Sequence, residues 1–111
     1  MLVTVVEMPE FHRRAKALLS EAERNEVINH LAANPAAGIQ LGGGLRKVRF
    51  GRAGGGKRGG VRTIHFYMAD SGPIYLLTLF AKNEKDNLSA DELALLLQLG
   101  ETLAAQYGKR Q

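Results

Sequence analysis

No cysteine occurs among the 111 residues of the chain. That absence removes a disulfide framework, a thiolate metal site, a catalytic thiol and an iron–sulfur cluster together. Long apolar runs are missing as well: the longest, Ile74 to Ala81 and Leu93 to Leu99, fall far short of the roughly 20 residues that a membrane span needs. The stretch Met1 to Glu10 carries no basic residue ahead of Val3, Val5 and Val6, so it lacks the pattern of a signal peptide. The expectation is a soluble, cytoplasmic protein without membrane contact. His12, His30 and His65 are too scattered for a His-Glu-x-x-His or related spacing, and neither a metal nor another cofactor is expected. Serine is scarce, and each copy has a structural use: Ser20 and Ser89 cap helices and Ser71 belongs to a turn. A serine nucleophile therefore has no candidate. The acidic residues fall mostly on helices or their caps, which removes paired-carboxylate glycosidase and two-metal nuclease chemistry.

What is present suffices for one folded domain over residues 1–111, with 45% hydrophobic and 23% charged residues. Leu2 to Val6 reads as a short strand, and Pro9 suits the first turn of a helix, where its missing N–H is not needed. Phe11, Ala15, Leu18 and Leu19 fall on one side at helical spacing. Ser20 with Glu23 forms a capping box for a second helix, whose inward face is expected to be Ala22, Val27, Ile28, Leu31 and Ala32 and which ends at Asn34-Pro35. Strands follow over Leu45 to Phe50, Val61 to Met68 and Ile74 to Ala81, with Asp70 to Pro73 as turn chemistry, making an antiparallel meander. A second capping box, Ser89 with Glu92, starts a terminal helix that presents Leu93, Leu96, Leu97, Leu103, Ala104 and Tyr107 and is expected to stop at Gly108. The order is β-α-α-β-β-β-α, an α+β protein with a mainly antiparallel sheet, an N-terminal helical hairpin and a C-terminal helix.

Charge is strongly segregated along the chain. Residues 1–45 hold four basic and five acidic groups, residues 46–85 nine and two, and residues 86–111 two and four. A cationic middle third on a slightly acidic scaffold attracts a polyanion, and a phosphate backbone fits better than a membrane because the segment is not an amphipathic helix. Strand parity puts Lys47 and Arg49 on one face with Leu45, roughly 7 Å apart along the strand, and Arg46 on the other with Val48 and Phe50. Ten of the thirteen glycines lie between Gly38 and Gly60. The run Gly54 to Gly60 lacks Walker spacing and joins two strands, so it is no nucleotide loop. Lys57 and Arg58 in that run, with Arg52 just before it, suit contact with a nucleic-acid backbone. His65 shares parity with Thr63 and Tyr67, as a hydrogen-bonded sheet residue or one facing a groove. Lys82 and Lys85, directly after the apolar strand, stand where they approach Lys47, Arg49 and Arg62. Five cations around one sheet edge can hold a phosphodiester and stabilise the extra charge of its pentavalent transition state.

The strand Leu45-Arg-Lys-Val-Arg-Phe50, the run Gly60-Val-Arg-Thr-Ile-His-Phe-Tyr67, and especially Ser71-Gly-Pro-Ile-Tyr-Leu-Leu-Thr-Leu-Phe-Ala-Lys-Asn-Glu-Lys85 followed by Leu88-Ser89 resemble the RelE/HigB superfamily of toxins. The resemblance covers nearly the whole chain. It implies a RelE-like fold and the toxin of a type II toxin–antitoxin pair, a ribosome-dependent endoribonuclease that cuts messenger RNA in the A site by attack of the 2′-hydroxyl, without metal. It implies as partners the ribosome and a cognate antitoxin with a DNA-binding domain, through which alone the toxin meets operator DNA. By the same resemblance Lys47 is the general base or its substitute, Arg49 and Arg62 stabilise the phosphate, and Lys82 or Lys85 supports the leaving group or transition state; Arg46, Arg52, Lys57 and Arg58 are expected to contact RNA through their charge. Where RelE carries a tyrosine past the basic cluster this chain has Leu88 and Ser89, which leaves Tyr67 or His65 for base stacking. A ParE-like inhibitor of DNA gyrase shares the fold, and a non-catalytic nucleic-acid-binding module shares the charge pattern.

Overall fold

The computed structural model describes residues 3–51, 60–68, 71–85 and 87–109. The chain opens with a three-residue strand, β1 (Val5–Glu7), and passes at once into helix α1 (Pro9–Leu18), with Pro9 at its first position. Helix α2 (Glu21–Ala33) begins at the expected capping box: the Ser20 hydroxyl accepts from the Glu23 N–H at 3.1 Å, and the Glu23 carboxylate accepts from the Ser20 N–H at 2.8 Å. Strands β2 (Ile39–Gly42), β3 (Leu45–Phe50), β4 (Val61–Met68) and β5 (Ser71–Ala81) follow, then helix α3 (Ala90–Lys109). The sheet order is β1-β5-β4-β3-β2, antiparallel except for the parallel pairing of β1 on β5.

Several expectations are corrected. The first strand starts at Val5 and reaches Glu7, and Leu2 lies outside the described residues. A fifth strand, β2, is added by the first glycine cluster. Gly42 pairs with Leu45, leaving Gly43 and Gly44 as a two-residue turn, both at positive φ (57° and 91°), the combination a tight hairpin needs and glycine alone adopts without strain. The expected turn at Asp70 to Pro73 is shorter, because β5 already begins at Ser71, opposite Met68; Asp70 itself is outside the described residues. Ala22 is exposed, not inward. Helix α3 runs through Gly108 to Lys109.

The sheet has a core on each face. Under the α1–α2 hairpin lie Phe11, Ala15, Val27, Leu31, Val48, Val61, Ile74, Leu76 and Leu79. Under α3 lie Leu45, Ile64, Phe66, Leu77, Phe80 and Leu103. Alternation explains most of this division, but Leu77 and Leu79 fall on opposite faces although two residues apart. The cause is a β-bulge: Ile64 pairs with Thr78 while His65 pairs with Leu76, so Leu77 has no opposite number and the parity of β5 inverts there. Both faces of the central strands are covered, which accounts for the unbroken apolar run of β5.

Strand β1 is too short to cover all of β5, and α1 covers the remainder. The Arg14 guanidinium donates to the Leu79 carbonyl at 2.5 Å and reaches the Glu84 carboxylate at 2.6 and 2.8 Å. A backbone acceptor that the ladder leaves over is thus satisfied by a charged side chain from a helix.

Candidate functional site

Parity on β3 and β4 builds the cationic face. Leu45 packs under α3 whereas Val48 and Phe50 pack toward the hairpin, so Lys47 and Arg49 share the α3 face of β3. Arg62 shares the same face of β4 with Ile64 and Phe66. The register places Arg49, Arg62 and Phe80 in one row across three strands, and Lys47, Ile64 and Thr78 in the next. Helix α3 and the connector before it pack over Ile64 and Phe80, so the two rows open to the surface at their β3 ends, where Lys47 and Arg49 stand. Lys47, Arg49 and Arg62 are therefore brought together. Arg49 is exposed, Lys47 half-buried, and Arg62 lies beneath them with 2% of its surface accessible.

The connector from β5 to α3 closes one side of this opening. It is held at its start by Glu84, whose carboxylate takes the Arg14 guanidinium and the Ala81 N–H at 3.2 Å. The hydrogen bonds from Arg14 hold the Glu84 carboxyl below the usual carboxylate range, so the clamp is ionised throughout the neutral range. At its end, Ser89 and Glu92 form the expected second capping box, with bonds of 2.8 and 3.1 Å. Glu92 also receives the Lys85 ammonium, which holds its carboxyl down to about 2. Lys85 lies 5.0 Å from the centroid of the Phe80 ring, a cation–π approach that fixes it beside the Arg49–Arg62 row. Lys82 is exposed at the end of β5, its N–H donating to the Gly60 carbonyl at 3.0 Å.

Two residues here carried no signal in the one-dimensional pattern. Asn87 accepts a hydrogen bond from the Lys47 ammonium at 2.6 Å, across 40 positions of chain. Ile39, 63% exposed, sits opposite Lys47 in the β2–β3 register. Ile39 becomes visible only once the glycine cluster is read as a hairpin turn.

Other candidates are not gathered in. Arg46 points to the opposite face, where it donates to the Ala36 carbonyl at 3.0 Å and stands opposite His65 on β4. His65 is fully buried under the hairpin; since a carbonyl only accepts, its Nε2–H donates to Pro35 at 2.8 Å and Nδ1 is left without a partner. Neither His65 nor Tyr67, which packs with the same core, shares a face with Lys47. His12 and His30 lie on helix surfaces, as expected. Arg52, Lys57 and Arg58 are outside the described residues. Among the described residues no group of three or more His, Asp or Glu side chains is placed to hold a metal ion, and no helix is long and apolar enough to cross a membrane.

Residues 4–110 match the family described as the RelE toxin of the RelE/RelB toxin–antitoxin system. Among solved structures, an arginine-to-alanine double mutant of the E. coli toxin RelE in the free state is similar in fold. The TM-score is 0.57 at 8% identity, covering 78% of this chain and 90% of that one.

Proposed function

The chain belongs to the RelE toxin family of toxin–antitoxin systems, and on that premise we propose that it is a ribosome-dependent endoribonuclease that halts translation by cutting messenger RNA in the A site. The observation that carries this reading is the convergence of Lys47, Arg49, Arg62 and Lys85 on one face of the sheet, in front of α3. Such a face suits a phosphodiester: the 2′-hydroxyl attacks the adjacent phosphorus, the bond to the 5′-oxygen breaks, and the products are a 2′,3′-cyclic phosphate and a 5′-hydroxyl.

In this proposal Lys47 in its amine form takes the 2′ proton. Arg49 meets the non-bridging oxygens from the surface, and Arg62 contributes its charge from beneath. The ammonium of Lys85, with that of Lys82 in the same connector, stabilises the leaving 5′-oxygen as its charge develops and donates it a proton, which makes the 5′-hydroxyl. The cations supply all the charge stabilisation the step requires. Arg52, Lys57 and Arg58 add salt-dependent grip on RNA. The partners are the ribosome with its message and a cognate antitoxin with a DNA-binding domain, which alone contacts operator DNA.

The test is to map messenger RNA 5′ ends after a short induced pulse of wild type and of Lys47→Ala combined with Arg49→Ala. Arg49 is preferred to Arg62 because removing a side chain with 2% exposure also tests folding. Translation-dependent breaks reduced by roughly 10² to 10⁴-fold in the variant are expected. Intact messages under wild type, with cleaved DNA accumulating instead, would replace the nuclease by a gyrase inhibitor.

A further inference from the structure

We propose that Asn87 is a positioning residue for Lys47, a neutral tether that aims the amine into the open face without consuming its charge. This rests on the nuclease reading above and names a part of the site that the cation pattern alone does not contain.

Three observations support it. The contact is short and specific, the Asn87 Oδ1 accepting from Lys47 Nζ at 2.6 Å. A single exposed hydrogen bond on a long side chain ordinarily contributes little, because it competes with water and with the side chain's own freedom. Here the acceptor is anchored on both sides. Upstream, Glu84 ties the connector to Arg14 and to the Ala81 N–H; downstream, the Ser89–Glu92 capping box fixes the start of α3. Asn87 lies between two fastened points, so the ordering cost falls almost entirely on Lys47.

The second observation is the chemistry of the acceptor. The ammonium of Lys85, in the connector, is bound by a carboxylate, Glu92. Lys47 is bound by an amide, which orients an amine in either protonation state and adds no negative charge to a face that must receive phosphate. The third is location. Lys47 stands in the row next to Arg49 and Arg62, so Asn87 holds its amine in the neighbourhood of the two guanidinium-bearing positions.

The experiment follows single-turnover cleavage by ribosomes programmed with a short message, across pH, for wild type, Asn87→Ala and Asn87→Asp, with thermal unfolding of each. Asn87→Ala is expected to lose about 10- to 100-fold in the cleavage step with KM within about twofold and an unchanged melting temperature. Asn87→Asp keeps an acceptor and so recovers most of the rate at its optimum, while its added charge moves the pH of half-maximal cleavage upward by about one unit. Slowed water exchange of the Lys47 ammonium, observed by NMR in wild type and Asn87→Asp and lost in Asn87→Ala, reports the tether without reference to cleavage. Wild-type rates in Asn87→Ala, or equal ammonium exchange in all three proteins, overturn the positioning role. An unreactive wild type with an intact tether refutes the nuclease and with it any role of Asn87 in cleavage, whereas an active wild type without the tether refutes Asn87 alone.

Discussion

His65 illustrates how a single side chain is decided by its surroundings. It is fully buried, and burial pushes its pKa below 6.5; the Pro35 carbonyl that accepts from Nε2 opposes this, and the Arg46 charge adds to it. The folded protein thus resists a proton that the unfolded chain accepts near 6.5. This part of the stability is complete above that pH and falls away below it, with a slope of at most about 1.4 kcal/mol per pH unit. His65→Gln keeps a donor for Pro35 without a titrating group. Its urea midpoint should therefore lose less than that of wild type between pH 7.5 and 5.5, and parallel losses would show that His65 is not the group responsible. At this scale the sequence was partly readable. Alternation put Lys47 and Arg49 on one face with Leu45, and Arg46 on the other, as found, because parity is a property of the strand itself. Asn87 and the Arg14–Glu84 clamp were illegible because their partners are 40 and 70 positions away, and no local pattern encodes such contacts.

Among the elements, those with a chemical punctuation mark were the legible ones. Pro9, the Ser20–Glu23 and Ser89–Glu92 boxes and Asn34 each set a helix limit where expected. Strand β2 was hidden because glycine has low strand propensity and its cluster suggested a loop, although the same glycines make the tight turn that creates the strand. Glycine also sets how closely α3 approaches the sheet. A Cβ on Gly100 would lie 2.9 Å from the Phe66 ring, and one on Gly44 would lie 2.8 Å from the same ring. Both approaches fall on the Cδ1–Cε1 edge of the ring. Gly100→Ala gains roughly 1 kcal/mol in helix propensity, but the overlap costs about 1–3 kcal/mol. A net loss of about 1 kcal/mol in chemical denaturation is expected, recovered when Phe66→Leu is added. A stabilised single variant would mean that α3 is free to shift.

On the scale of the molecule the two faces are unequally sealed. The hairpin side buries Phe11, Ala15 and Leu31 completely. Helix α3 buries Leu103, keeps Leu93, Leu96, Leu97 and Leu99 half-covered, and leaves Leu95 66% exposed beside an open groove of about 480 Å³ between α3 and the α1–β5 edge. Amide hydrogen exchange should therefore show α3 opening on its own, with protection about tenfold or more below that of β4 and β5. Uniform protection would indicate one cooperative unit. That inequality was not legible in the sequence, since it depends on how closely each helix seats.

The parallel pairing of β1 with β5 has a consequence for how the protein is made. Val5 finds its neighbour only at Ile74, and Arg14 finds Glu84 later still. During synthesis β1 must wait for its sheet partner until most of the rest of the chain has left the ribosomal tunnel, although the α1–α2 hairpin finds its own contacts earlier. Contacts of such long separation are the slow ones, since the intervening chain must be closed before they repay its lost freedom. A message broken midway thus yields fragments with neither the sheet nor the face on which Lys47 and Arg49 meet Arg62. The face on which these cations meet is therefore assembled only once β4 and β5 have both been made.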